Sequence, residues 1–351
     1  MNAFPLSSPA LGPVIGGAIA ENVGWRWIFW FLVIFSGFTV GLMALGLPET
    51  NRKVVGNGGI PPPPLNLTPL QKLVAPAPSD PDQPGRERRT LRDLIPNPFR
   101  SIEIIFNKDV SIILFVMSIY YAAFYAIIST VPQTFADIYG YNELKIGLCY
   151  FSFGGGAIIA SVVNGRLLDR NFRIVAEQEG VTIGSQKLAN MSEFPIERAR
   201  LRGIFWPMSL CIAATIPYGW TLYCRTHVAA PLVLLFIIGF TNICVVNVSL
   251  LLRIQIQVFL VDLYPTSPAT ATASGNLCRC LFGALSTAMV DFMLTRLGLG
   301  WTFTFWGLIC LVCFPLLELS KRKGHVWRSA RSKALMEERA ERGQRRAQAE
   351  P

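Results

Sequence analysis

Arg279 is the residue whose placement most constrains the chemistry, because it lies about twelve residues into the apolar run Ser267 to Val290. A charge near the middle of a bilayer costs several kcal/mol, about 2.5 to 3.5 on insertion scales, so it faces a cavity or a partner. Such an arginine can anchor an anion or act as a gate. The structural alternative is a guanidinium satisfied by carbonyls or by polar groups of a neighbouring helix. The other candidates for ligand contact are polar and aromatic residues inside apolar runs. They are Tyr120, Tyr121, Phe124 and Tyr125, then Asn242 and Asn247, and finally Asn276. Sites for amphipathic organic molecules are mostly apolar and aromatic with a few polar groups. An aromatic stripe also serves packing or lipid contact. Tyr120 and Tyr121 are adjacent, so on a helix only one of them faces a given cavity.

Enzyme and metal chemistry find little support. Cys149, Cys211, Cys244, Cys278, Cys280, Cys310 and Cys313 lie inside apolar runs and Cys224 ends one, where cysteine behaves as a small hydrophobe. Neither His227 nor His325 has Cys or His at ligand spacing, and there is no Ser/His/Asp set. Gly154-Gly155-Gly156 is not followed by Lys-Ser/Thr and sits in mid-run, which makes it a helix-contact surface and not a phosphate loop. No cofactor is expected.

The elements that must position these residues follow from composition. The 351 residues are 52% hydrophobic and only 15% charged, whereas soluble domains carry roughly a quarter charged residues. The chain is therefore an integral membrane protein. A spanning helix needs about 20 mostly apolar residues. Seven windows meet or approach that length: Trp25 to Leu47, Val110 to Val131, Ile146 to Val163, Ile204 to Cys224, Ala229 to Leu252, Ser267 to Val290 and Trp301 to Leu317. An eighth, Pro5 to Ala20, is short, has no basic segment before it and runs straight on into the next span, so it does not read as a cleaved signal peptide.

If the spans alternate sides, Asn51 to Lys108, Asn164 to Gly203, Arg253 to Thr266 and the tail after Leu317 share one side and carry 27 Lys or Arg, against 4 on the other. The positive-inside rule makes the first side cytoplasmic. The net charge of +10 is thus a matter of loops and lipid headgroups, and nucleic acid is not an expected partner. Asn66-Leu67-Thr68 and Asn190-Met191-Ser192 match the glycosylation pattern but fall on the cytoplasmic side, so they should stay unmodified. The Pro- and Arg-rich stretch 51–108 reads as a linker that cannot bury enough apolar area to offset its ordering entropy. It divides the chain into residues 1–50 with two spans and 109–320 with six, followed by a basic cytoplasmic tail, 321–351, with the spacing of a solvated helix. Anionic lipid can hold the linker or the tail near the membrane.

Leu11-Gly12-Pro13-Val14-Ile15-Gly16-Gly17 places Gly12 and Gly16 four residues apart, a spacing that lets membrane helices approach closely, while Pro13 permits a kink. Gly24-Trp25-Arg26-Trp27-Ile28-Phe29 and Leu47-Pro48-Glu49-Thr50 follow. Together they resemble the fifth and sixth spans of drug:proton antiporters of the major facilitator superfamily, the type with about twelve spans. Gly165-Arg166-Leu167-Leu168-Asp169-Arg170 is similar to the second copy of the family's Gly-x-x-x-Asp-Arg loop. Leu260-Val261-Asp262-Leu263-Tyr264-Pro265, with Ala269 to Gly275 and Arg279, resembles spans ten and eleven of fungal quinidine-resistance-like exporters.

The resemblance implies an all-α integral membrane protein of the major facilitator fold, incomplete: a second six-helix bundle plus two helices of the first, with nothing where spans one to four should stand. It implies export of small organic compounds (drugs, weak organic acids, amino-acid-like metabolites) in exchange for protons, from the plasma membrane or, alternatively, the vacuolar membrane. Gly12, Pro13, Gly16, Gly17, Gly165, Asp169, Arg170 and Asp262 would be conformational residues. Asp169 would help hold one state of the cycle closed, while Arg170 alone reads equally well as a solvated positive-inside arginine. Tyr121, Tyr125, Asn242, Asn247, Asn276 and Arg279 would contact substrate. No span carries Asp or Glu near its middle, since Glu49, Asp137, Asp291 and Glu318 all fall at ends, so no carboxylate proton relay is visible. The rival expectation is a transport-inactive membrane protein that acts by pairing with itself or with a full-length relative.

Overall fold

The computed structural model describes residues 3–50, 67–69, 105, 108–178, 203–245 and 268–349. These form two compact units, Met1–Ala18 with Asn97–Pro351, and Ile19–Pro96. Among the described residues regular structure is entirely helical: α1 (Ala3–Asn22), α2 (Arg26–Gly46), α3 (Lys108–Tyr139), α4 (Glu143–Gln178), α5 (Phe205–Tyr223), α6 (Ala229–Val245) and the long run Pro268–Ala349. That last run is broken at Gly298, whose φ of 78° and ψ of 170° are not helical. It is therefore two helices, α7 (268–297) and α8 (299–349).

In lipid every backbone amide must be satisfied within the segment, which selects helices, and the stretches Arg26–Gly46, Ser111–Tyr139, Glu143–Leu167 and Ala273–Gly324 are long and apolar enough to cross. The 52 residues of Ala273–Gly324 suffice for two crossings, one on each side of Gly298. Polarity is distributed as lipid demands. Leu281, Leu285, Phe292, Leu308 and Val312 lie on the outside, and on α2 no residue is buried. Interior hydroxyls return their hydrogen to a carbonyl one turn back: Ser118 donates to Leu114 at 2.7 Å, Thr215 to Cys211 at 2.8 Å and Thr302 to Gly298 at 2.8 Å. The aromatic residues of α2 pair along their own helix, Trp25 with Phe29 at 6.1 Å and Phe31 with Phe35 at 6.0 Å.

Three apolar clusters lie among the described residues of the larger unit, and two of them are extensive. One joins Leu114 and Tyr120 of α3 to Met208 and Cys211 of α5 and to Trp306, Cys310 and Leu317 of α8. The other joins Ile127 and Phe135 of α3, Cys149 and Tyr150 of α4, Tyr218 of α5, Leu235 and Ile238 of α6 and Phe303 of α8. Because lipid tails are as apolar as leucine, these helices associate through close packing and not through escape from water. Glycines make the packing possible. A Cβ on Gly219 would lie 2.9 Å from the Leu299 carbonyl oxygen, and one on Gly307 would lie 2.7 Å from Ile216.

Helix extents differ from the apolar windows in two places. Helix α3 continues two turns past Val131, through Pro132, to Tyr139, whose hydroxyl donates to the Thr226 carbonyl at 2.9 Å beyond α5. Helix α4 starts on an Asn142 cap, whose Oδ1 accepts from the Lys145 amide at 3.2 Å. It does not stop at Val163 but continues to Gln178. Gly165, Asp169 and Arg170 thus stand on helix, not at the entry to a loop. Past Asn164 the sequence offers charges at helical spacing and no proline, so nothing ends the helix at the edge of the apolar run. The glycosylation-pattern residues Asn66 and Asn190 lie outside the described residues, as does nearly all of the linker.

Candidate functional site

Helices α3 and α7 bring four of the six proposed contact residues together. Tyr121 and Tyr125 are one turn apart on α3, and Asn276 and Arg279 are three apart on α7, so each pair shares a helix face. The Arg279 Cζ lies 4.6 Å from the Tyr121 ring centroid, over its face. An Arg279 Nη2 hydrogen is donated to Asn276 Oδ1 at 3.3 Å, and the Tyr121 hydroxyl donates to the Tyr125 hydroxyl at 2.9 Å. The Arg279 Nε is buried without a hydrogen-bond partner. Gly283 of α7 faces the same ring, and a Cβ there would stand 3.5 Å from Tyr121, an ordinary van der Waals contact.

The adjacent tyrosines divide as expected. Tyr120 is turned the other way, 1% exposed, with its hydroxyl toward the Cys310 carbonyl at 3.4 Å. Phe124 links the cluster to α4, stacked on Phe153 at 5.0 Å and edge-on to Tyr125 at 5.1 Å. Asn242 is buried on α6 beside Ile243 and Cys244, which pack with Phe153 and Ala157 of α4. Asn247 and Asp262 lie outside the described residues.

Among the described residues the glycine-rich segment of α1 makes its close contact at Gly17, beside the Gly12 and Gly16 stripe that the spacing suggests. Neither Gly12 nor Gly16 has an atom of the described residues within 4 Å of the place a Cβ would take. Gly17 does, at 2.6 Å from the Glu143 carbonyl oxygen, and Gly147 meets the Pro13 carbonyl oxygen at 2.7 Å. Pro13 and Gly17 are four residues apart and form a stripe about 100° around the helix from Gly12 and Gly16. The close approach between α1 and α4 therefore uses Pro13, Gly17 and Gly147, the last unremarked in the sequence. Gly154-Gly155-Gly156 is a helix-contact surface: a Cβ on Gly156 would lie 2.9 Å from the Phe240 amide nitrogen of α6, and one on Gly155 3.6 Å from the Phe236 ring. Gly239 meets the Phe153 carbonyl from the other side. Gly165 has open space around it and Arg170 is exposed; the side chain of Asp169 lies outside the described residues.

Comparison with known proteins finds relatives named as transporters. The family described as "Major Facilitator Superfamily" matches residues 1–287. The chain is 37% identical over 91% of its length to "MFS-type transporter phiD" of Fungal sp. (strain ATCC 74256), of which it covers 48%. It is 35% identical over 93% of its length to "Citrate exporter 1" of Aspergillus niger, covering 61% of it. It is also 31% identical over 84% of its length to "MFS-type transporter phiL" of Fungal sp. (strain ATCC 74256), covering 73%. The chain thus spans about half to three-fifths of the length of the first two of these relatives.

Proposed function

The chain belongs to the major facilitator superfamily, a family of membrane transporters and not of enzymes, and on that premise we propose that it carries small organic compounds out across a membrane in exchange for protons. One observation carries the proposal: relatives named as transporters, a citrate exporter among them, align with more than nine-tenths of this chain. The reading is supported by the α3–α7 cluster, where Tyr121, Tyr125, Asn276 and Arg279 combine aromatic faces, hydroxyls and a charge inside two spans. Apolar, aromatic walls with a few placed polar groups suit a small organic solute. In this proposal residues 109–320 act as one bundle and residues 1–50 as part of another, the repeat-built plan of such transporters. The linker and the tail face the cytoplasm, the membrane is the plasma membrane, and the chain works by itself or paired with a second copy.

The test is efflux of a labelled organic compound from cells expressing the chain, with and without an imposed proton gradient. Gradient-dependent efflux above that of cells lacking the chain is the expected result. A well-inserted chain giving no efflux, or efflux indifferent to the gradient, refutes proton-coupled export.

A further inference from the structure

We propose that the α3–α7 cluster is a carboxylate subsite that selects organic monoanions and rejects cations, an inference that rests on the transport reading and names its substrate class. The argument starts from the unsatisfied hydrogen-bonding capacity of Arg279. Its Nη2 is engaged by Asn276 and one face of its guanidinium is covered by the Tyr121 ring, while Nε is buried and has no acceptor. A buried donor on a charged group is costly to leave unmade. The planar guanidinium presents its donors in a fork that matches the two oxygens of a carboxylate, a geometry lysine does not offer.

The tyrosine pair supplies a second point of attachment. In the bond from the Tyr121 hydroxyl to Tyr125 Oη, the Tyr125 oxygen accepts, so its own hydrogen remains available to an incoming oxygen. The α7 backbone at Gly283 runs alongside both rings.

The charge balance decides the sign of the ligand. Glu318 pairs with Lys321 and Arg322, and among the described residues no carboxylate pairs with Arg279. Asp291 on the same helix is twelve residues further on, about 18 Å along the axis. The cluster therefore holds one uncompensated positive charge in a low-dielectric setting, where a like charge is repelled and one carboxylate restores neutrality. A quaternary or phosphonium cation has no counter-charge here, and a neutral amide leaves the arginine unpaired.

The experiment is equilibrium binding of labelled benzoate to the full chain reconstituted in nanodiscs, with unlabelled benzoate, benzamide, tetraphenylphosphonium and inorganic phosphate as competitors. Benzoate alone should displace the label. Arg279→Gln should weaken binding about tenfold or more, the scale of a hydrogen bond to a charged group, and Arg279→Lys should fall between the two. Tyr125→Phe, which removes a hydroxyl and leaves the packing, should weaken binding a few-fold in a chain that melts like the wild type. The proposal is overturned if a folded Arg279→Gln chain binds benzoate as before, if tetraphenylphosphonium or benzamide competes equally well, or if phosphate displaces the label and reveals a general anion site. Benzoate binding intact in a chain that exports nothing would refute transport and keep the subsite. Export that persists unchanged in Arg279→Gln would refute the subsite and keep transport.

Discussion

Alanine substitution at four glycines separates the face that α1 uses from the one its sequence advertises. At Gly17 a Cβ would sit 2.6 Å from the Glu143 carbonyl oxygen, and at Gly147 2.7 Å from that of Pro13. Carbon–oxygen contacts of this kind settle at about 3.3 to 3.6 Å, so the helices must part by roughly 0.7 Å. Both obstacles are backbone, which cannot swing aside as a side chain can. Overpacking of this size costs about 1–3 kcal/mol. At Gly12 and Gly16 the same Cβ meets nothing within 4 Å. All four positions gain the same helix-propensity term on going from Gly to Ala, at most about 1 kcal/mol, so that term cancels between the pairs. The contrast that remains is the overpacking cost alone. The measurement is denaturant unfolding of the full chain in one detergent, reading the midpoint for each single variant. Gly17→Ala and Gly147→Ala should unfold earlier than Gly12→Ala and Gly16→Ala by an amount equivalent to about 1–3 kcal/mol. Equal stability across the four, or Gly12→Ala as the weakest, would refute the assignment of the α1–α4 contact to Pro13, Gly17 and Gly147.

Two further outcomes follow from backbone and exposure. Gly298, at φ 78° and ψ 170°, occupies a region that only glycine adopts without strain, and its Cβ direction is empty. Gly298→Ala should therefore cost about 1–3 kcal/mol through the backbone alone, and thermal unfolding no different from wild type would show that the α7–α8 break does not need that conformation. Cys224 is exposed at the end of α5, whereas Cys280, also exposed, lies mid-span, where a water-soluble reagent does not reach. A membrane-impermeant maleimide applied to intact cells should label the chain once, and Cys224→Ser should abolish the label; labelling only after permeabilisation would invert the proposed orientation.

What could be read from the sequence was the type of each environment, and what could not was the register between helices. Apolar length located the helices because lipid leaves the backbone no other way to satisfy its amides. Adjacency split Tyr120 from Tyr121, since 100° per residue sends neighbours to different faces, and in the fold one is buried against α8 while the other lies over Arg279. The cost of a charge in a span marked Arg279 as needing a partner. Nothing local to residue 279 indicates that its partner is an aromatic ring on α3, 158 residues earlier in the chain. The glycines show the same limit more sharply. The Gly12–Gly16 spacing is a sound indication that α1 is built for close approach, yet the contact lies at Pro13 and Gly17, one residue further round. A pattern within one helix fixes which residues share a stripe, and only the second helix decides which stripe is used. Gly147 illustrates why: it is an unremarkable glycine in its own sequence, and it acquires a role only because the Pro13 carbonyl occupies the space a Cβ would fill. The segment past Asn164 shows the reverse, a helix that outlasts its hydrophobicity. Lipid dictates where apolar residues stop, but the helix stops where a breaker or a cap stands, and α4 meets neither before Gln178.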